Sequence, residues 1–147
     1  MPKRILVMGL SGAGKTTLAQ IILEHLQNNK KNVMWINADN VRKKYNDWDF
    51  SYEGRIRQSL RMRELADSYT DADYVICDFI APIPEMRDNF SADWTIWVDT
   101  VSHSKFSDTD KIFVAPEKCH FHITEKNAIS WGEYIATSIL DQEAILK

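Results

Sequence analysis

The segment that decides the fold covers residues 9–16 and reads Gly9-Leu10-Ser11-Gly12-Ala13-Gly14-Lys15-Thr16. An apolar run over residues 4–8 precedes it and predicts a buried strand. Apolar residues at helical spacing follow Gly14 and predict a helix ending near residue 28. Consecutive backbone N–H groups in such a turn, together with the positive end of the helix, bind anions. The motif and its context therefore predict a phosphate-binding loop, here called the phosphate loop (residues 9–16).

The side chains of this loop predict ATP and Mg²⁺ as ligands. Lys15 supplies a positive charge to the β- and γ-phosphates, and the Thr16 hydroxyl is a ligand for Mg²⁺. The residues predicted to bind ATP are Gly9, Ser11, Gly12, Ala13, Gly14, Lys15, Thr16 and Thr17. Asp78 follows the apolar run 74–77, as in a Walker B element, and is predicted to hold Mg²⁺ together with Thr16. A helix cap or a loop carboxylate is the alternative for Asp78.

The order of elements predicts a three-layer α/β fold. Strands are predicted over residues 4–8, 33–36, 74–77, 94–98 and 121–124, and helices over residues 14–28, 54–68, 85–90 and 130–140, with a turn or short helix after Asp39. Residues 99–118 lack periodicity and are interpreted as a long functional loop. This alternation predicts a P-loop NTPase fold with a mostly parallel sheet of about five strands flanked by helices. The length predicts a single domain over residues 1–147.

Composition and charge narrow the classes of partner. The chain has 147 residues and a net charge of −3, which argues against nucleic acid as a partner. Residues 1–63 carry twelve basic and five acidic side chains, whereas residues 64–147 carry six and sixteen. Positive charge beside a phosphate site favours a second, anionic ligand. No secretory or membrane-spanning segment is apparent, so a cytoplasmic location without membrane contact is expected, and Cys77 is interpreted as a buried thiol.

Two classes of nucleotide-binding protein are excluded, one by missing motifs and the other by chain length. A GTPase switch needs Asp-x-x-Gly after the strand, but Asp78 is followed by Phe79-Ile80-Ala81, and no guanine-reading Asn-Lys-x-Asp occurs. The length leaves no room for the added elements of a motor ATPase. The small-molecule and nucleotide kinases remain.

Several segments resemble the adenylylsulfate (APS) kinases, in the same order and spacing over roughly residues 4–100. They are the loop Gly9 to Ala19, Asp39-Asn40-Val41-Arg42, Phe50-Ser51 with Arg55, Arg61, Glu64 and Ala66, Val75-Ile76-Cys77 with Phe79-Ile80, Pro82 and Arg87-Asp88, and Val98-Asp99-Thr100. The resemblance implies transfer of the ATP γ-phosphate to the 3′-hydroxyl of adenylylsulfate. It implies catalytic roles for Lys15 and Asp39.

The same resemblance implies an acceptor site. Its predicted substrate-binding residues are Asp39, Arg42, Phe50, Arg55, Gln58, Ile80 and Ala81. Asp39 would orient the acceptor hydroxyl and take its proton. Arg42 and Arg55 would clamp the phosphosulfate, because a guanidinium fork matches its oxygens. Phe50 would stack on the base, with a loop anchor as its alternative, and Arg57, Arg61 and Arg63 are interpreted as solvated or ion-paired.

The chain also departs from the family pattern. Asn37 and Ala38 replace an aspartate and a glycine, Gly54 replaces an aspartate, and Ala81 replaces a serine. Asp78 stands where the family has a small residue and is expected to restore the lost negative charge. The arginine-containing lid is absent, and Arg87, Lys105 and Lys111 are the candidates to replace its charge.

These departures keep alternatives open. One is a kinase with a different hydroxyl acceptor, and another is an ATP-binding module with little turnover. A homodimer is compatible with the sequence, which does not decide the oligomeric state.

Overall fold

A computed structural model describes residues 1–146 and contains one sheet of five strands, all paired in parallel, in the order β2-β3-β1-β4-β5. The strands are β1 (Lys3–Met8), β2 (Val33–Asn37), β3 (Tyr74–Asp78), β4 (Trp94–Val98) and β5 (Phe121–Ile123). The predicted α/β fold with a five-stranded sheet is therefore confirmed. The strand ranges agree with the predicted ones to within a residue at each end.

Helices cover both faces of this sheet. They are α1 (Lys15–Asn28), α2 (Ala38–Tyr45), α3 (Tyr52–Ser68), α4 (Pro84–Phe90), α5 (Ser107–Ile112) and α6 (Ala128–Leu146). Helices α1 and α6 pack together on one face, and α2, α3 and α4 lie on the other. Two neighbouring parallel strands need a crossover connection, which is usually a helix. Because the helices cover both faces of the sheet, the strands consist mainly of apolar residues.

Strand β1 shows how the two cores are separated. Ile5 and Val7 point into the core beneath α1 and α6, whereas Leu6 and Met8 point into the core beneath α3 and α4. The alternation follows from the two-residue period of a strand. Because all four side chains are buried, β1 is central and holds the phosphate loop at its end.

The helices differ from the prediction in three places. The interpretation of residues 99–118 as an uninterrupted loop missed α5, which has one short turn-and-a-half of helix and too little sequence for a period to be recognised. The closing helix begins and ends beyond the predicted residues 130–140. Helix α3 begins two residues early because the Ser51 hydroxyl accepts a hydrogen bond from the Gly54 N–H at 3.2 Å and caps it.

The prediction for Cys77 is confirmed. Its thiol is free and fully buried in β3, and burial raises its pKa well above the ordinary range. Across residues 1–146, no helix combines the length and apolar character that crossing a bilayer requires.

Candidate active site

The ends of four neighbouring strands bring the predicted motifs together. The phosphate loop follows β1, Asp39 lies in the first turn of α2 just after β2, and Asp78 is the last residue of β3. Thr100 follows β4 and contacts the phosphate loop. Ligands of open α/β sheets bind at this edge, where the strand order reverses about β1.

The phosphate loop has the backbone shape that its glycines predict. Gly9, Gly12 and Gly14 have φ angles of 149°, 84° and 104°, which few other residues adopt. A Cβ atom on Gly9 would also lie 2.2 Å from the carbonyl oxygen of Val98. The Lys15 ammonium donates to the carbonyl oxygen of Leu10 at 3.0 Å, which folds the side chain back across the loop.

A cleft of about 930 Å³ opens beside this loop. From the predicted ATP site it is lined by Ser11, Gly12, Gly14, Lys15, Thr16 and Thr17, and from the predicted acceptor site by Asp39, Arg42, Phe50, Arg55, Gln58, Ile80 and Ala81. Asp78 lines it as well. Gly9 and Ala13 are buried behind the loop and do not line the cleft. They contribute to the shape of the loop backbone instead. One cavity thus joins the two predicted sites.

The Asp78 carboxylate is held by two donors on β2. The indole N–H of Trp35 donates to Oδ2 and the side-chain amide of Asn37 donates to Oδ1, each at 2.7 Å. Asn37 and Asp78 are direct partners in the β2–β3 register, so the carboxylate lies beside the position of the family aspartate. The sequence analysis missed Trp35, although its place two residues before Asn37, on the same side of the strand, was the available signal.

The buried Asp78 and the partly buried Lys15 influence each other's pKa. Burial lowers the pKa of Lys15 to about 8, against the opposing attraction of Asp78 and Asp39. Burial also raises the pKa of Asp78, while the Trp35 and Asn37 donors and the charge of Lys15 lower it. Each charge therefore favours the charged form of the other.

Arg42, Phe50 and Arg55 form the opposite side of the cleft, here called the acceptor wall. The Cζ atoms of Arg42 and Arg55 lie 4.3 and 5.5 Å from the centroid of the Phe50 ring. Both guanidinium groups are anchored: Arg42 donates to the carbonyl oxygens of Asp47 and Asp49, and Arg55 to that of Phe50 at 2.8 Å. The Phe50 side chain stays half exposed.

A network of ion pairs fixes the loop that carries the acceptor wall. Arg57 and Arg61 contact the Asp47 carboxylate at 2.8 and 3.1 Å, and their hydrogen bonds hold the pKa of Asp47 well below its usual range. Arg63 pairs with Asp67 at 3.6 Å. Of the two interpretations offered for these three arginines, solvated or ion-paired, the structure shows ion pairs, and two of the three support the wall indirectly.

Gln58 and Gly54 also serve the loop. The Gln58 amide donates to the carbonyl oxygen of Ala38 at 3.1 Å, and its oxygen accepts a bond from Arg61 at 3.2 Å. Gln58 thus links α3 to the start of α2, while still lining the cleft. At Gly54 an added Cβ atom would lie 2.2 Å from the carbonyl oxygen of Asp49, so glycine allows the loop to pack on α3.

The third side of the cleft is formed by residues 105–109, here called the α5 wall. The Arg55 guanidinium donates to the Thr109 hydroxyl at 3.1 Å, and this bond joins the α5 wall to the acceptor wall. Lys105 lines the cleft, and Lys111 is not among its lining residues. The sequence analysis missed Thr109 and Phe106, because a contact 54 residues apart leaves no local pattern.

Arg87 does not reach the cleft as a charge. Its guanidinium donates to the carbonyl oxygens of Ala81, at 2.9 Å, Pro82, at 3.1 Å, and Val114. It therefore fastens the segment after α5 to the loop after β3. Of the three candidates for the lid charge, Lys105 is the one among the residues that line the cleft.

Thr16 and Asp78 are suited to a Mg²⁺ ion. Within residues 1–146 no group of three or more His, Cys, Asp or Glu side chains could hold a metal by itself. Mg²⁺ in nucleotide sites usually takes one or two protein oxygens and completes its shell with phosphate oxygens and water. A buried carboxylate and a hydroxyl beside a phosphate loop meet that requirement.

The chain is similar to known proteins of one family. The family model described as adenylylsulphate kinase matches residues 1–103. The adenylyl-sulfate kinase of Pseudomonas entomophila is 34% identical over 88 residues, covering 58% of this chain and 42% of that protein. The cytidine diphosphoramidate kinase of Campylobacter jejuni is 31% identical over 70 residues, covering 48% and 41%. This chain thus spans less than half the length of both relatives.

A solved structure extends the similarity to the whole fold. The APS kinase of Mycobacterium tuberculosis, in complex with AMPPNP and APS, superposes with a TM-score of 0.72 over 95% of this chain and 96% of the other. The identity is 18%, so this match concerns the fold.

Proposed function

Because this chain belongs to the adenylylsulfate kinase family, we propose that it transfers the γ-phosphoryl group of ATP to a hydroxyl group of a small anionic nucleotide, with adenylylsulfate as the first candidate acceptor. The observation that carries the proposal is the shared cleft. It has the phosphate loop on one side and the acceptor wall on the other, with Asp39 among its lining residues. Phosphoryl transfer mainly requires this kind of positioning and charge neutralisation.

The phosphate loop is proposed to bind the triphosphate. Its backbone N–H groups and the start of α1 attract the phosphate oxygens. Lys15 adds a positive charge, and its attraction for the phosphates becomes stronger when the bound ligand is shielded from water. Thr16 and Asp78 would hold Mg²⁺, which neutralises phosphate charge when it is bound. The family and the solved APS kinase complex support ATP as the donor.

Asp39 is proposed to orient the acceptor hydroxyl. The hydroxyl oxygen forms a bond to the γ-phosphorus, the bond from that phosphorus to the β–γ bridging oxygen breaks, and ADP leaves with the electron pair. The proton of the hydroxyl passes to the Asp39 carboxylate and then to water. Asp39 is suited to this because it lies in the first turn of α2 and lines the cleft.

The acceptor wall is proposed to bind the anionic nucleotide. Arg42 and Arg55 are anchored through some of their N–H groups, which orients the rest of each guanidinium. Phe50 offers a half-exposed ring on which a base can stack. Gln58, Ile80 and Ala81 complete this part of the lining.

A different acceptor is the second candidate, and two observations favour it. Both ends of the Gln58 amide are already hydrogen-bonded within the protein. The match to the Campylobacter relative, 31% identical over 70 residues, extends the sequence similarity to a kinase whose name gives another nucleotide substrate. The binding-module alternative is less supported, because Asp78 supplies a carboxylate beside Asn37.

The test is an assay of ADP release with a panel of hydroxyl acceptors that includes adenylylsulfate and cytidine diphosphate derivatives. Release that depends on adenylylsulfate supports the first candidate, and release with another acceptor supports the second. Lys15→Ala is the control, and it should fold and show no turnover. Tight ATP binding without turnover on any acceptor would contradict the kinase proposal.

Two further proposals concern the setting of the reaction. We infer a cytoplasmic location, where ATP is available, and fractionation of source cells tests it. A homodimer remains a prediction, and light scattering of the purified protein tests it.

A further inference from the structure

Asp78 is a buried carboxylate whose charge lacks a cationic partner in direct contact within the described chain. Its residue is 2% exposed, yet it lines the cleft. The nearest candidate, Lys15, donates to the carbonyl oxygen of Leu10 instead. Burying an unpaired carboxylate is unfavourable unless hydrogen bonds or a bound cation compensate.

Two N–H donors provide the compensation that the protein itself supplies. Trp35 and Asn37 each bond one oxygen of the carboxylate at 2.7 Å, which is short for N–H···O and typical of a charged acceptor. With both oxygens held, the carboxyl group cannot rotate about its last bond without breaking a hydrogen bond. Its remaining lone pairs are thereby fixed relative to the phosphate loop.

Strand geometry explains why these two residues act together. Residues 35 and 37 lie on the same side of β2, and residue 37 pairs with residue 78 across the parallel ladder. The Trp35 ring packs against the core cluster beneath α1, so its indole N–H has little freedom to move. A rigid aromatic ring is a more precise donor than a flexible side chain.

We propose that Trp35 and Asn37 are positioning residues that hold the Asp78 carboxylate in one orientation, so that it supports Mg²⁺-dependent binding of ATP in the cleft. This inference rests on the proposed function, because it gives Asp78 its place at the Mg²⁺–phosphate end of the site. Neither residue needs to touch a substrate. Partners of this kind around metal ligands commonly change metal affinity when they are replaced.

The test compares Trp35→Phe with Trp94→Phe. Trp94 is a matched control, because its indole N–H also donates to a carboxylate, that of Glu143 at 3.0 Å, on α6 and away from the cleft. Calorimetric titration of ATP is carried out on each full-length variant with Mg²⁺ and with EDTA. In Trp35→Phe, the gain in ATP affinity that Mg²⁺ provides should be about tenfold smaller than in the wild type, and the affinity in EDTA should be unchanged. In Trp94→Phe, both quantities should equal those of the wild type.

Asn37→Ser provides an independent variant if Trp35→Phe does not fold. The serine hydroxyl can still cap the N–H of Asn40, which the Asn37 oxygen now accepts at 3.1 Å, but it lacks the amide donor. The same selective loss is expected. If the folded variants gain as much affinity from Mg²⁺ as the wild type, the inference is overturned. Failure of the wild type to phosphorylate any acceptor would overturn the proposed function instead, since the titrations measure binding alone.

Discussion

The Thr100 hydroxyl donates a hydrogen bond of 2.7 Å to the carbonyl oxygen of Ala13 and so joins the end of β4 to the phosphate loop across 87 positions of sequence. A carbonyl oxygen that accepts this bond turns away from the nucleotide, and the N–H groups of the loop can then face the cleft. The first prediction tests the value of this contact.

Thr100→Val should loosen the loop while keeping the side-chain shape. Loss of one such hydrogen bond should lower the free energy of unfolding by about 1 kcal/mol. Because the loop then samples more conformations, ATP affinity should fall by about threefold to tenfold. Thr95→Val, within β4 and away from the loop, is the matched control for calorimetry and denaturation. Equal ATP affinity in the two variants would show that the bond does not order the loop.

Nucleotide binding should weaken as the pH rises above about 8. The pKa of Lys15 is lowered by burial to about 8, so the free protein loses the ammonium charge above that pH, while bound phosphates favour the charged form. Binding then takes up a proton, and affinity should fall by up to about tenfold per pH unit. Calorimetry in two buffers with different ionisation enthalpies measures the uptake.

The same pKa shift has a defined sign for stability of the free protein. Between pH 8 and 10.5 the unfolded chain carries the proton on Lys15 and the native state has lost it, so the contribution of this group to unfolding free energy rises with pH. Lys15→Met should remove both pH effects. A wild-type affinity that stays constant well above pH 8 contradicts the prediction.

Asp39→Asn should separate turnover from ATP binding. The amide keeps the size of the side chain but cannot accept the hydroxyl proton, so turnover should fall by about 100-fold or more. ATP affinity should change by less than about threefold, since Asp39 is proposed to act on the acceptor. Asp141→Asn, on the exposed face of α6 and away from the cleft, is the control. Full activity in Asp39→Asn would remove Asp39 from its proposed role.

Exchanging the side chains of Asn37 and Asp78, so that the carboxylate lies on β2 instead of β3, tests the relation between the two residues. Asp78→Asn alone should weaken Mg²⁺-dependent ATP binding by about tenfold or more. The double variant Asn37→Asp/Asp78→Asn should recover part of that loss, because the two residues are register partners with side chains 2.7 Å apart and one carboxylate is retained. Titration of ATP with and without Mg²⁺ measures it. No recovery would mean that the position of the charge, rather than its presence, decides binding.

Gly9→Ala should destabilise the fold more than Gly12→Ala. Both residues have positive φ angles, and an alanine in such a conformation costs about 1–2 kcal/mol. At Gly12 the added Cβ atom meets nothing within 4 Å, whereas at Gly9 it meets the carbonyl oxygen of Val98 at 2.2 Å. Chemical denaturation should therefore give a further loss for Gly9→Ala of about 1–3 kcal/mol. Equal losses would show that β4 can move away.

Local patterns were enough to predict most of the fold and the ATP side of the cleft. The phosphate loop could be identified because its glycines, lysine and threonine are consecutive, and the strand before it is uniformly apolar. Asp78 could be located because it ends an apolar run. Helix α5 could not, since six residues are too few to establish a helical period.

The contacts that shape the acceptor side depend on residues far apart in the chain. Thr109 contacts Arg55 from 54 positions away, and Trp35 reaches Asp78 from 43 positions away. No spacing in the sequence indicates either pair, because each is created by packing two separate elements side by side. Arg87 was a candidate charge for the cleft until its carbonyl partners were known.

The sequence by itself determined the phosphate loop, the alternation of strands and helices, and the family. These follow from backbone conformation and from periodic burial, both of which are properties of neighbouring residues. Only the tertiary structure decided which donors hold Asp78, that residues 105–109 form one side of the cleft, and which arginines face it. Those outcomes depend on which strand ends and loops meet, and the parallel order β2-β3-β1-β4-β5 sets that meeting.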